Sequence, residues 1–306
     1  MISIFLIFLV IIMVRKKIIE ICIVNISANP HPKDIYFDLF KKAGNKKVKY
    51  TVNGEKTAFF SNPKKIENYE DFFYGHLFTY IEINREREWG DIKKEQILNM
   101  EEKEEKLKSI DEIGENYCLS PNSFNYVFKI DDHKLFIERK NSMNKRITPG
   151  QIKNILIKLM GPEIQGKDVP NVEITIIPEN NVVDDILSIS ELNKLNIRIL
   201  KPNPDNTTDK SYNQVIKNLE EHNARQIEYK WIKDRKKDSL NLDDEIRYLA
   251  KFAAENGCVS GEGININNKK ISISTESKPE VLEVEDDPNE TLFDKLDKIF
   301  NFRGKK

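Results

Sequence analysis

The sequence predicts an α+β fold, with mixed or antiparallel sheets built from hairpins and flanked by amphipathic helices. Segments of period-two apolar patterning outnumber segments of helical period. They cluster around short turns instead of alternating with helices, as the βαβ units of a parallel sheet would. With 306 residues, 39% hydrophobic and 32% charged, the chain has material for a core in one or two domains and for a well-hydrated surface over it. Global disorder and a fibrous repeat are excluded by the same figures. Forty-nine Lys and Arg stand against 50 Asp and Glu, so a histone-like excess of positive charge is excluded and any contact with nucleic acid has to be local.

The opening MISIFLIFLVIIMV is apolar but for Ser3 and is closed by Arg15, Lys16 and Lys17. A bilayer requires ~20 apolar residues, and no basic stretch precedes this run as one would in a signal peptide. Three readings stay open: a reading frame over-extended upstream of Met13, a short anchor with its basic flank in the cytoplasm, or a first buried strand. The first is the simplest, because MVRKKIIEICIVNIS makes an ordinary soluble start. A cytoplasmic protein is therefore expected, with membrane association only if residues 1–12 are translated. Cys22, Cys118 and Cys258 form no CxxC and no disulfide framework, which suits reduced thiols in that compartment.

Along the chain, IIEICIVNI (18–26) reads as a strand broken by NPHP. Ile35, Tyr36, Leu39 and Phe40 share one face of a helix that Gly44 stops. KVKYTVNGEKTAFF is a hairpin about Asn53-Gly54, the pair that best tolerates a type I′ turn. FFYGHLFTYIEI (72–83) is a strand, and residues 84–115, dense in both signs of charge, form a solvated, partly helical excursion. SFNYVFKIDDHKLFIERK (123–140) restores the β pattern about Asp131-Asp132. Thr148, Pro149 and Gln151 start a helix with a capping box, and Ile152, Ile155, Leu156 and Leu159 line its apolar face. The loop at 162–170 is the expected boundary between domains at 13–161 and 171–277. In the second, strands at 172–178 and 195–200 alternate with helices at 182–187, 211–223 and 242–257. A hairpin about Asn267-Asn268 follows, then an acidic linker and a terminal amphipathic helix at 278–306.

Motifs of established chemistry are scarce. The sequence has no HExxH, no GxxxxGK[ST] and no GxSxG. His31, His76, His133 and His222 lack a second ligand at metal-binding spacing, and His76 reads as a hydrogen-bonded core histidine among aromatics. GCVSGEG (257–263) has a helix before it and a strand after, the reverse of a phosphate cradle, so a helix cap and loop are expected. Asp184-Asp185 and Asp243-Asp244 sit near helix starts, where acids favour the helix dipole. No catalytic residue, metal ligand or cofactor site is assigned. The sharpest signal is basic: RQIEYKWIKDRKK (225–237) places Arg225, Lys230, Lys233, Arg235, Lys236 and Lys237 for phosphate contacts, with Trp231 as an aromatic that stacks on a base or packs. A second basic stretch holds Lys41, Lys42, Lys46, Lys47 and Lys49, of which the last three join the candidate interface.

The run VVDDILSISELNKLNIRILKPNPD (182–205), the later DDEIRYLAKFAAENGCVSGEG and the hairpin KISISTES resemble the bacterial family catalogued as domain of unknown function 4747. VNISANPHP and FFYGHLFTY are similar to the start of that family, from Val24 onward. The resemblance implies one family over almost all of the chain after Met13 and carries no catalytic motif to transfer. A looser resemblance, in Asp185-Ile186-Leu187 and in Ile197 to Lys201 with Pro202, reaches the phage-exclusion protein RexA and the Kiwa defence protein KwaB. That resemblance implies a soluble homo-oligomer, a dimer, that binds DNA as a non-enzymatic sensor or effector of antiphage defence. Two other readings compete: a metal-dependent nuclease built on Asp184, Asp185, Asp243 and Asp244, and a protein-interaction component docking an operon-encoded partner through 84–115 and the terminal helix.

Overall fold

Strand β1 (Ile18–Asn29) is apolar on both faces because it lies between two cores. The structure, a computed structural model, describes residues 17–32, 34–51, 56–82, 90–91, 96–111, 118–167, 170–203 and 210–305. The apolar leader and the Asn53-Gly54 turn lie outside these residues. After β1 come α1 (Ile35–Ala43), β2 (Val48–Lys49), β3 (Lys56–Phe60), β4 (Lys64–Ile66) and β5 (Tyr69–Ile81). The charged excursion contributes a small ribbon, β6 (Gly90–Asp91) with β7 (Gln96–Ile97), and helix α2 (Met100–Asp111). Strands β8 (Leu119–Lys129) and β9 (Lys134–Lys140) lead to α3 (Pro149–Leu159), the short α4 (Pro162–Gln165) and β10 (Asn171–Ile176).

Apart from the β6–β7 ribbon, these strands join a nine-stranded antiparallel sheet in the order β10-β1-β9-β8-β5-β3-β2, with β4 beside β5 and the later segment Val281–Glu285 beside β1 as the ninth strand. Alternate side chains of β1 serve opposite faces, as the pleat requires. Cys22, Val24, Ile26 and Ala28 enter a core with Tyr36, Leu39 and Phe40 of α1 and Ile152, Ile155, Leu156 and Leu159 of α3. Ile19, Ile21 and Ile23 enter a second core on the far face. The Thr148–Gln151 capping box of α3 forms in both directions, and the helix buries the four expected residues.

The chain continues through α5 (Val182–Leu187), β11 (Glu191–Leu200), α6 (Lys210–Glu221), β12 (Gln226–Ile232), α7 (Asp244–Glu255), β13 (Gly257–Ile264) and β14 (Lys270–Ser274). It ends with β15 (Val281–Glu285) and α8 (Leu292–Phe300). A four-stranded antiparallel sheet in the order β12-β11-β13-β14 carries α5, α6 and α7 on one face, around Leu195, Ile197, Ile199, Leu219, Ala250 and Ala253. Asp243 caps α7 by accepting from the Ile246 amide, and Asn268 takes the left-handed conformation in the β13–β14 hairpin (φ 57°).

Three expectations are corrected. GCVSGEG is not a cap and loop but β13, the strand between β11 and β14. A Cβ at Gly257 would lie 2.0 Å from the Arg198 carbonyl, at Gly263 2.2 Å from that of Glu191, and at Gly261 2.7 Å from Ile186. The glycines thus allow α5 and β11 to close on the strand. The expected acidic linker contains β15, which pairs Val281–Glu285 with Ile18–Cys22 of β1. Leu282 and Val284 alternate with acids and pack on the far-face core. Finally, β10 joins the first sheet through β1, with Ile174 and Ile176 in its core.

The two sheets meet at a polar seam. Asn203 Oδ1 accepts from the Ala28 amide and the Tyr36 hydroxyl, both at 2.9 Å, while Ser27 donates to the Lys201 carbonyl. Asn25 donates to the Glu255 carbonyl at the end of α7. The terminal helix α8 docks on this same chain: Leu292, Phe293 and Leu296 are buried against the large sheet, whereas Ile299 stays exposed.

Candidate nucleic-acid interface

Strand β12 is an edge strand whose side chains alternate strictly. Ile227, Tyr229 and Trp231 pack on the core of the small sheet, leaving Gln226, Glu228, Lys230 and Ile232 on the outer face. The Tyr229 and Trp231 rings stack on each other with centroids 5.7 Å apart. Trp231 therefore takes the packing alternative, because its place in the period-two pattern turns it towards the helices.

The turn after β12 is held by its own backbone. Lys233 donates its amide to the Asn193 carbonyl, and Asp234 accepts from the amides of Lys236 and Lys237. Arg235, Lys236 and Lys237 are exposed on this turn, and the Lys233 ammonium reaches the Asp238 carbonyl at 3.3 Å. Among the described residues, Lys230, Arg235, Lys236 and Lys237 have no carboxylate at ion-pairing distance.

The neighbouring cations are differently placed. On the outer face of the same sheet Lys194 pairs with Glu262 at 2.6 Å, and Arg198 with Glu276 at 3.2 Å. Burial opposes the ionisation of Glu276, but Lys153 and Arg198 beside it prevail and hold its carboxyl below the usual range. Arg225, at the other end of β12, pairs with the buried Glu173 of β10. Lys46, Lys47 and Lys49 belong to the opposite edge of the large sheet, where Lys49 pairs with Glu82 and Lys47 lies over the Tyr80 ring. The structure thus gathers Lys230, Lys233, Arg235, Lys236 and Lys237 on one strand and turn, and sets Arg225 and the Lys46–Lys49 group apart from them.

The acidic pairs do not converge. Asp184 lies 3.8 Å from Lys251, Asp185 pairs with Lys278 and Asp243 caps its helix. Among the described residues no group of three or more His, Cys, Asp or Glu is placed to hold a metal ion.

A polar relay on the large sheet was only partly visible in sequence. His76 of β5 bonds through Nδ1 to Asn125 Oδ1 of β8 at 2.8 Å. Asn125 in turn donates both its side-chain amide and its backbone amide to the Glu138 carboxylate, at 2.9 and 2.8 Å. Burial pushes the Glu138 carboxyl above the ordinary glutamate range, against the two hydrogen bonds from Asn125 and the charge of Lys295. His76 carried a weak sequence signal as a histidine inside a strand. Asn125 and Glu138 carried none beyond their places on adjacent strands, because cross-strand register is set by tertiary pairing.

A family model described as a domain of unknown function (DUF4747) matches residues 17–301. The chain belongs to the DUF4747 family. The match runs from one residue before β1 to one beyond α8, so both sheets and the closing helix lie within the DUF4747 region. No curated protein matches the chain. Among the described residues of this DUF4747 member, no helix is long and apolar enough to cross a membrane.

Proposed function

We propose that this DUF4747 protein binds nucleic acid, DNA first of all, through the β12 edge and the turn that follows it, as a non-enzymatic component of antiphage defence. One observation carries the binding: five cations lie together on a strand edge and a rigid turn, and four of them lack an ion-pair partner among the described residues, while neighbouring cations are neutralised. Unpaired ammonium and guanidinium groups contact phosphates by releasing counterions, which gives affinity without sequence readout. Because Tyr229 and Trp231 face the core, the surface lacks the aromatic platform that single-strand binders use. It therefore favours backbone contacts on a duplex. The defence role and a dimeric state rest on the looser resemblance to RexA and KwaB.

A salt titration of duplex DNA, single-stranded DNA and RNA binding, using protein that starts at Met13, tests the proposal. The expected affinity for duplex DNA falls steeply with salt. The Lys233/Arg235/Lys236/Lys237→Ala variant should flatten the log–log dependence of affinity on salt concentration, by about 0.9 in slope for each phosphate it no longer neutralises. An unchanged slope in that variant, or no binding at low salt, refutes it.

A further inference from the structure

The cleft between the β5–β8 ladder and α8 encloses about 630 Å³ and is lined by His76, Asn125, Val127, Tyr69, Phe293 and Lys295, among others. This lies within the size range of small-molecule sites, which combine apolar walls with a few oriented polar groups. The far-face core supplies the walls, with the Tyr69 and Phe293 rings 5.1 Å apart between centroids.

The polar group at the floor is fixed in one orientation. Both Glu138 oxygens accept from Asn125, so the Asn125 amide cannot be flipped without losing a bond, and its Oδ1 is left facing His76. An oxygen acceptor there requires His76 Nδ1 to carry the proton, an assignment made from the network. His76 Nε2 is then the lone-pair nitrogen of a ring that lines the cleft. Three strands cooperate to hold that acceptor still, an arrangement that a histidine serving only to fill a core does not need.

Charge at the rim narrows the ligand. The nearly buried Lys295 ammonium is 2.6 Å from Asp286. Arg303 pairs with Asp294 and Asp297, and its guanidinium lies over the Tyr69 and Phe293 rings. Lys65, the third cation on the lining, lies over the Phe37 ring, and with Lys295 and Arg303 compensated and Glu67 and Glu290 on the same lining, the cleft offers little to a phosphate or carboxylate.

We propose that this cleft binds a neutral aromatic molecule bearing an O–H or N–H donor, of the nucleoside class, with the donor on His76 Nε2 and the ring against the apolar side of the cleft that Tyr69, Val127 and Leu292 line. The site is separate from the basic turn and does not depend on the DNA reading.

The test is a titration of histidine-¹⁵N-labelled protein with adenosine, cytidine, guanosine, uridine and phenol, followed by NMR at the His76 ring. The free protein is expected to show the Nδ1–H tautomer, and at least one probe to bind at sub-millimolar concentration with a shift at Nε2. His76→Phe, which keeps a ring but removes the acceptor, should weaken that probe roughly tenfold, the loss typical of one hydrogen bond to a ligand donor. The Lys233/Arg235/Lys236/Lys237→Ala variant should bind the probes as wild type does, so the two proposals fail separately. An Nε2–H tautomer, no Nε2 shift with any of the five probes, or full affinity in folded His76→Phe overturns the proposal. If His76→Phe does not fold, the tautomer and the wild-type titration still decide.

Discussion

Gly75 faces Tyr126 across the β5–β8 ladder, and a Cβ there would lie 2.5 Å from the Tyr126 hydroxyl. That ring cannot retreat, because it is packed against Phe40 and Phe60. Gly75→Ala should therefore cost about 1–3 kcal/mol, the usual range for overpacking, as a lower midpoint in urea unfolding. The Tyr126 hydroxyl is buried and has no hydrogen-bond partner among the described residues, so Tyr126→Phe should be neutral or stabilising by about 1 kcal/mol in the same measurement. Glu138 adds a pH dependence. Its folded carboxyl binds a proton more readily than the unfolded one, so its contribution to stability is complete below the ordinary glutamate range and is lost as pH rises through the folded value. Glu138→Gln removes that loss, and its stability relative to wild type should rise as pH is raised above the ordinary glutamate range in denaturant melts. At this scale the sequence is least legible. The glycines of β13 read as a loop because a glycine needed for close approach looks the same in sequence as one needed for a turn.

Helix α8 shows how much more an element reveals. Its amphipathic period was readable, and the structure adds a capping box in which Thr291 accepts from the Asp294 amide and Asp294 accepts from that of Thr291. The Thr291 hydrogen bond, with Arg303 alongside, holds the Asp294 carboxyl below its usual range. This stabilisation is present above the ordinary aspartate range and is lost as pH falls through the lowered value. Thr291→Ala should cost about 1 kcal/mol near neutral pH, and less in acid, as read from thermal unfolding at two pH values. Where a helix carries its own cap and stripe, as α3 does, sequence was enough. Strand β15 was missed because only Leu282 and Val284 face inward and the intervening acids resemble a linker.

Two sheets with largely separate cores share a polar seam in which Ser27 and Asn25 donate and Asn203 accepts, with the Arg225–Glu173 pair beside them. Asn203→Ala leaves the Tyr36 hydroxyl and the Ala28 amide without this acceptor, a loss of roughly 1–3 kcal/mol. In a Trp89→Phe background, urea unfolding followed by Trp231 fluorescence and by far-UV circular dichroism should then separate into two transitions if the seam is what couples the sheets. The α+β class and the antiparallel pairing were legible, since they follow from local hairpins. The partners of β1 were not, because a strand apolar on both faces accepts many neighbours and sequence order does not choose among them. That choice has a consequence for synthesis. In a nascent chain the strand that covers the outer edge of Ile18–Cys22 is Val281–Glu285, translated about 260 residues later. Throughout that interval the early strand has one backbone edge without its native neighbour, the circumstance in which chaperones and like strands of other chains compete for it.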